Sequence, residues 1–407
     1  MRLRFLFLVL IAVPLLPVGT LAAQQPVADR YREVANRIIN AAMADSNVAW
    51  RRMAALVDHS GPRLSGSANL ERGIDWMLAE MQKDGFANVR GEPAMVPHWV
   101  RGRESLTMTL PRKADVPMLG LGGSIGTPAQ GITAEVLVVG SFEELERRAA
   151  DAKGRIVLFD VLFTSYGETV RYRGAGAVAA AHVGAVASLI RAVGSYGMRT
   201  PHTGGMRYDS TVARVPAAAI PMEDAMMFRR MQARGQRIVV TLKMEAQTLP
   251  DAPSRNAIGE LTGREKPREI VVMGGHIDSW DVGLGAMDDA GGVVVAWEAM
   301  KLLKRLGLTP RRTIRVVGWT NEENGGRGGA AYRDAHRDET HALAIESDGG
   351  VFAPLGFGFS GSDSARVIVR QVGSLLQRIG AGRIGASGGG ADIGPIMSTG
   401  VPGMGLD

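Results

Sequence analysis

Residues 270–292 read IVVMGGHIDSWDVGLGAMDDAGG. The apolar, β-branched run Ile270 to Met273 predicts a strand over Glu269–Met273, and it stops at two glycines before His276 and Asp278. Further along, Asp288 and Asp289 stand directly before Gly291–Leu306, whose apolar residues recur at helical spacing. Gly307 follows in the place of a helix-ending glycine. A strand, a loop rich in ligand-type side chains and a helix make one βα unit.

The same arrangement recurs downstream. A strand over Thr313–Trp319 runs into WTNEENGG (319–326), carrying Glu322 and Glu323. Another over Leu343–Ile345 runs into IESDGG (345–350), carrying Asp348, and Ser364–Ile379 reads as a helix. Alternating periods of about 2 and about 3.6 predict an α/β fold: a mostly parallel sheet with helices on both faces. In such sheets ligands bind beyond the carboxyl ends of the strands, so these side chains should converge on one crevice. Taken singly, a His-x-Asp or an Asp-Asp before a helix is commonplace. Gathered together, the carboxylates would repel one another without a cation among them. The chain has 0 Cys, which excludes thiolate chemistry, disulfides and sulfur-ligated metals. Any metal must be held by His, Asp and Glu, a donor set suited to zinc or a similar divalent ion in a hydrolytic site.

Upstream, helical spacing covers 27–43, 47–57 and 69–84, and SGPRLSGS (60–67) is a loop of turn formers. From about 103 to 253 short β runs alternate with Gly- and Pro-rich turns and one Ala-rich segment, 174–193, of helical character. That composition suggests a β-rich module inserted into the larger domain. It holds no constellation of ligand-type residues; His182 and His202 are isolated and read as packed or surface histidines. Met1–Arg4 is positively charged, residues 5–16 are apolar, and Ala22 and Ala23 precede polar residues, the layout of a cleaved export signal. The apolar run is too short for a membrane span. The net charge is +6 in 407 residues, and Arg2 and Arg4 of that leader account for two of the positive charges. With no long basic tract, a nucleic-acid partner is not expected.

The runs 274–292, 319–326 and 346–350 resemble the di-zinc exopeptidases of the aminopeptidase/glutamate carboxypeptidase kind. The similarity extends through LVDHSGPRLSGSANLE (56–71), PHWVRGRES (97–105), LGLGGSIGTPAQGITAEVLVV (119–139) and VGAVASLIR (183–191). The resemblance implies two Zn2+ ions, with His276 and Asp348 binding one, Glu323 the other, and Asp288 bridging. It makes Glu322 the general base and Asp278 the carboxylate that orients His276, with Asp289 a cap or support. With the leader read as a signal peptide at 1–23, it implies a peptidase domain at 24–110 and 251–407. Between these, 111–250 would be a protease-associated insert. The expected activity is that of an exported zinc exopeptidase hydrolysing small peptides, dipeptides with free termini above all, through metal-activated water. No membrane association is expected after signal cleavage, and the resemblance suggests a homodimer. An aminopeptidase would use the same metal residues, and a non-catalytic binding relative would keep the fold. Such enzymes carry a further zinc-binding His beyond the strand at 401–406. Here the last histidine is His341, outside the motifs, so the C-terminal part of the fold is expected to be missing.

Overall fold

The computed structural model describes residues 26–45 and 47–407; the export signal expected at 1–23 lies outside them. Two eight-stranded sheets organise the chain. In the first the strand order is Ala87–Val100, Gln247–Leu261, Arg312–Trp319, Lys266–His276, Thr340–Glu346, Gly403–Leu406, Gly356–Ser360, Arg383–Gly385. The four strands from Arg312–Trp319 to Gly403–Leu406 run parallel, and antiparallel pairing appears towards the edges.

Adjacent residues of these strands face opposite sides, as the pleat requires. Ala257 and Val316 pack with Leu70, Ile74 and Met77 of the helix Ala68–Lys83, and with Val293, Trp297 and Met300 of the helix Gly291–Arg305. Their neighbours Ile258 and Val317 pack on the other face with Tyr332 of the helix Arg327–Ala335 and with Ile396. Helices therefore cover both faces, as the alternating pattern predicts. Each fully buried side chain of this size contributes about 2 kcal/mol.

Register aligns the functional strand ends. His276 is opposite Trp319 on one side, and Gly274 is opposite Glu346 on the other. Three adjacent parallel strands thus finish together, and the loops after them start from the same edge.

The second sheet leaves and rejoins the first at one point, since Val100 pairs with Gln247. Its order is Ala114–Val116, Glu104–Leu110, Val239–Met244, Ile132–Val139, Ile156–Phe159, Ala187–Arg191, Ala217–Ile220, Leu119–Gly120. Its strands run from 104 to 244, inside the compositional span of about 103 to 253 and starting before the insert bounds of 111–250. The Ala-rich segment differs from its reading as one helix over 174–193. The helix is Tyr166–His182, Gly184 at φ +76° turns the chain, and Ala187–Arg191 is a strand. That strand is buried throughout between two parallel neighbours, and a short apolar run of this kind has no period that separates strand from helix. The helix read over 364–379 ends earlier, at Ser374, with a short 3-10 turn over Gln377–Ile379.

No helix among the described residues is long and apolar enough to cross a membrane.

Candidate metal centre

His276 ends its strand fully buried. Its Nδ1 lies 3.0 Å from the main-chain carbonyl of Asp278. A carbonyl can only accept, so Nδ1 carries the proton and the Nε2 lone pair is left for a cation. Around Nε2 stand carboxylate oxygens of Asp288 at 3.0 Å, Asp348 at 3.5 Å and Glu322 at 4.0 Å. Donor atoms of His276, Asp288 and Glu323 lie within 4.8 Å of one another, and so do those of His276, Asp289 and Asp348. All four residues expected to hold metal are thus brought together, with Glu322 beside them.

The carboxylate of Asp278 departs from its expected role. It stands 3.7 Å from Nδ1, because its own main chain already satisfies the ring. Instead it accepts the main-chain N–H groups of Glu322 at 3.0 Å and Glu323 at 3.3 Å. A short acidic side chain at the end of one strand thereby caps the turn after the next. The carboxylate of Asp289 accepts the N–H of His276 at 3.1 Å and of Gly292 at 3.0 Å. Those two bonds tie the first ligand strand to the start of the helix Gly291–Arg305.

Charge crowding shows in the acidities. With protein groups alone, burial pushes Glu322 up to about 7, reinforced by the charges of Asp278, Asp348 and Asp288 and opposed by His276. Burial and Asp288 push Glu323 up to about 9. His276 is held well above its ordinary value: burial opposes its charge, but hydrogen bonds to Asp288 and Asp348 outweigh that. Asp288, hydrogen-bonded to His276, is lowered. Here a lone imidazolium partly neutralises several carboxylates. A divalent cation would do so more completely, and an imidazole with carboxylates is a donor set zinc accepts. The residues fit such an ion.

Arg63, in the loop read from sequence only as turn formers, closes the segment between His276 and Asp288. It is 0% exposed. Its guanidinium donates to the carbonyls of Ile277 (2.6 Å), Leu284 (2.7 Å), Gly285 (2.9 Å) and Gly61 (3.1 Å). Its main chain exchanges bonds with Ser279. Burial lowers its pKa to about 10, against the raising charges of Asp278 and Asp289. No local sequence signal marks this role, because every partner except Gly61 is more than two hundred positions away.

The second sheet reaches the centre too. Arg101 forms a two-pronged ion pair with Asp281, at 2.8 and 2.7 Å, and Trp280 packs against the second sheet's core. A cavity of about 610 Å³ is lined by Asp288, Glu322 and Glu323 together with Tyr166, Arg173 and His202. His202, read as a packed or surface residue, is exposed, belongs to neither candidate metal group and lines this cavity. Burial and Arg173 lower its pKa while Asp288 opposes them. His341, by contrast, lies away from the centre, with Nε2 2.9 Å from the Tyr332 hydroxyl.

Residues 256–407 match Peptidase family M28. The chain is 51% identical to carboxypeptidase Q of Bos taurus, over 92% of its own length and 80% of that protein's. It is 49% identical to carboxypeptidase Q of Homo sapiens over the same shares. Its fold matches a peptidase M28 precursor of Shewanella amazonensis SB2B with TM-score 0.89 at 35% identity, covering 93% of this chain and 88% of that one. A zinc aminopeptidase of Bacillus subtilis shares the fold with TM-score 0.66 at 22% identity, over 88% and 84%. With half its residues identical across four-fifths of such a relative, the chain belongs to peptidase family M28 and is a metallopeptidase.

Proposed function

We propose that the protein is an exported zinc exopeptidase that hydrolyses small peptides, chiefly dipeptides with free termini. One observation carries this reading: the Nε2 of a buried imidazole stands 3.0–4.0 Å from three carboxylates supplied by three different loops. In this reading His276 and Asp348 would hold one zinc and Glu323 a second, with Asp288 available to both. When bound, zinc supplies a Lewis acid for the scissile carbonyl and a water acidified towards pKa ~7.

The remaining steps belong to the chain. Glu322 takes the proton from the attacking water and delivers it to the departing amine, so water is consumed and a carboxylic acid and an amine are released. No covalent intermediate with the protein is involved. Asp278 fixes the main chain of Glu322 and Glu323, and Arg63 fixes the loop from His276 to Asp288. The similarity to carboxypeptidase Q supports action on small peptides, and the leader supports export. The point-like departure of the second sheet at Val100 and its return at Gln247 support an inserted module of the protease-associated kind.

The test is hydrolysis of unblocked dipeptides by the zinc-loaded protein. Loss with a chelator, restoration by zinc and loss in Glu322→Gln are expected. Full turnover by Glu322→Gln would overturn the base, and absence of stoichiometric zinc binding would overturn the metallopeptidase centre itself.

A further inference from the structure

Glu322 and Glu323 sit on a turn whose shape is set by the residue before them. Asn321 comes two positions after the end of the strand Arg312–Trp319 and is fully buried. Its φ is +67°, in the left-handed region that asparagine enters more readily than most residues with a side chain. The chain then turns back on itself, and Gly328 returns to donate to the Thr320 carbonyl at 3.1 Å. The Asn321 carboxamide closes this turn from inside. Its Oδ1 accepts the main-chain N–H of Arg327 at 3.1 Å. A main-chain N–H can only donate, which fixes the orientation of the amide. Its Nδ2 donates to Asn324 Oδ1 at 2.6 Å and to Ser65 Oγ at 3.0 Å.

Two of these bonds span the glutamates, since Asn324 follows them directly and Arg327 opens the helix Arg327–Ala335. The turn passes so close to the amide that a Cβ on Gly325 would fall 2.2 Å from Oδ1, so only glycine fits there. The third bond leaves the turn. Ser65 belongs to the loop over 60–67, two residues after Arg63, which holds the segment from His276 to Asp288. The buried Ser65 hydroxyl also lies 3.5 Å from Asp278 Oδ2, on the carboxylate that accepts the N–H groups of Glu322 and Glu323. One loop therefore grips both acidic segments, through Arg63 and through Ser65. The feet of the turn are pinned separately. Asn256 accepts the Thr320 N–H at 3.0 Å and donates to the Gly328 carbonyl at 2.9 Å. Loss of the Asn321 amide would thus free the crown of the turn while its feet stay attached.

We propose that Asn321 is a positioning residue that aims Glu322 and Glu323 at the metal centre, with Ser65 as its anchor. This rests on the peptidase reading above, through the role given to Glu322. Asn321 does not line the cavity, so it acts through the two residues that follow it. A buried amide with both N–H groups and its oxygen engaged is rigid, because each broken bond would strand a polar group away from water. Glu322 has to come within hydrogen-bond reach of the attacking water, and a displacement of about 1 Å can cost about 10²-fold in rate. Glutamate side chains are long and flexible, so their main chain has to be held if the carboxylates are to keep one position. Asp278 holds that main chain at two N–H groups. Asn321 holds it on either side of them.

The experiment compares the zinc-loaded wild type with Asn321→Gly, since glycine adopts the left-handed backbone freely and only the amide is lost. Turnover of alanyl-alanine is measured per zinc-loaded site, and zinc affinity by competition with a chromophoric chelator. The expected result is a kcat about 10–100-fold lower with KM within about 2-fold, and zinc bound about 10-fold more weakly through Glu323. A folding defect alone would reduce the number of active sites and leave kcat per site unchanged. Ser65→Ala should shift kcat and zinc affinity in the same direction and, in the Asn321→Gly background, add less than it does alone. Ser65→Ala also carries the test if Asn321→Gly does not fold. Values of kcat and zinc affinity both within about 2-fold of wild type overturn the proposal. So does a raised KM at unchanged kcat, or strict additivity of the two substitutions. The peptidase reading fails separately. A wild type that binds zinc and hydrolyses no dipeptide removes the base, while weaker zinc binding in Asn321→Gly still supports the positioning of Glu323.

Discussion

The carboxylate of Asp278 accepts the main-chain N–H of Glu322 at 3.0 Å. The loop after one strand thereby sets the backbone of the loop after its neighbour, and with it the direction of the carboxylate assigned to proton transfer. The acceptor is fully buried; burial raises its pKa, while His276 and the N–H groups of Glu322 and Glu323 favour its charged form.

Asp278→Asn should weaken zinc binding about 10–100-fold, the usual scale for partners just outside the ligands. An amide presents one acceptor oxygen where two N–H groups now find acceptors. Competition with a chromophoric chelator reads the affinity, and an unchanged value would show that the turn holds its shape unaided.

Glu322→Gln should lower kcat by about 10²–10⁴-fold, the range of one general base. Zinc stoichiometry should stay as in the wild type, since the assigned ligands are His276, Asp288, Glu323 and Asp348. Loss of metal together with activity would make Glu322 a ligand instead.

The metal-free protein should lose stability as pH rises. Glu322 and Glu323 have folded-state values pushed from 4.5 to about 7 and about 9. Between 4.5 and those values the folded state holds protons that the unfolded state has released. The slope of unfolding free energy against pH is then negative. His276, raised above 6.5, adds stability present below 6.5 and lost as pH climbs through its folded value, the same sign. Zinc removes the need for those protons, so it should bind more tightly, and raise the melting temperature more, at about pH 8 than at about pH 5. Thermal unfolding with and without zinc across that range checks this; a gap that shrinks with pH contradicts it.

Arg63→Met should destabilise the fold by about 3 kcal/mol or more, because four main-chain carbonyls lose their donor at once and each orphaned buried group costs about 1–3 kcal/mol. Arg63→Lys should recover only part, since an ammonium cannot span the fork from Ile277 to Gly285. Urea unfolding reads both. Zinc affinity of the folded Arg63→Lys protein should also fall, an effect that a purely structural role would not produce.

Much of the centre was legible locally. Each of its acidic groups sits just past an apolar strand or just before a helix, and such patterns are written within ten or so residues. The strand Ala187–Arg191 was not, since an apolar run buried on both faces carries no period. The partners of Arg63 were also out of sight, because a side chain that gathers carbonyls from the far end of the chain leaves no trace beside itself. The same holds for His202 and Arg173, which reach the centre only because the second sheet folds back over it.

The residue order by itself determined the α/β alternation, the sulfur-free donor set and the candidates His276, Asp288, Glu323 and Asp348, since strand and helix periodicity and ligand chemistry are local properties. Tertiary structure alone decided that Asp278 caps the glutamate turn, that Arg63 closes the ligand loop, and that Arg173 and Glu322 line one cavity. These depend on which strand ends lie side by side and on how an insertion docks, and such relations arise from long-range packing that no stretch of sequence encodes on its own.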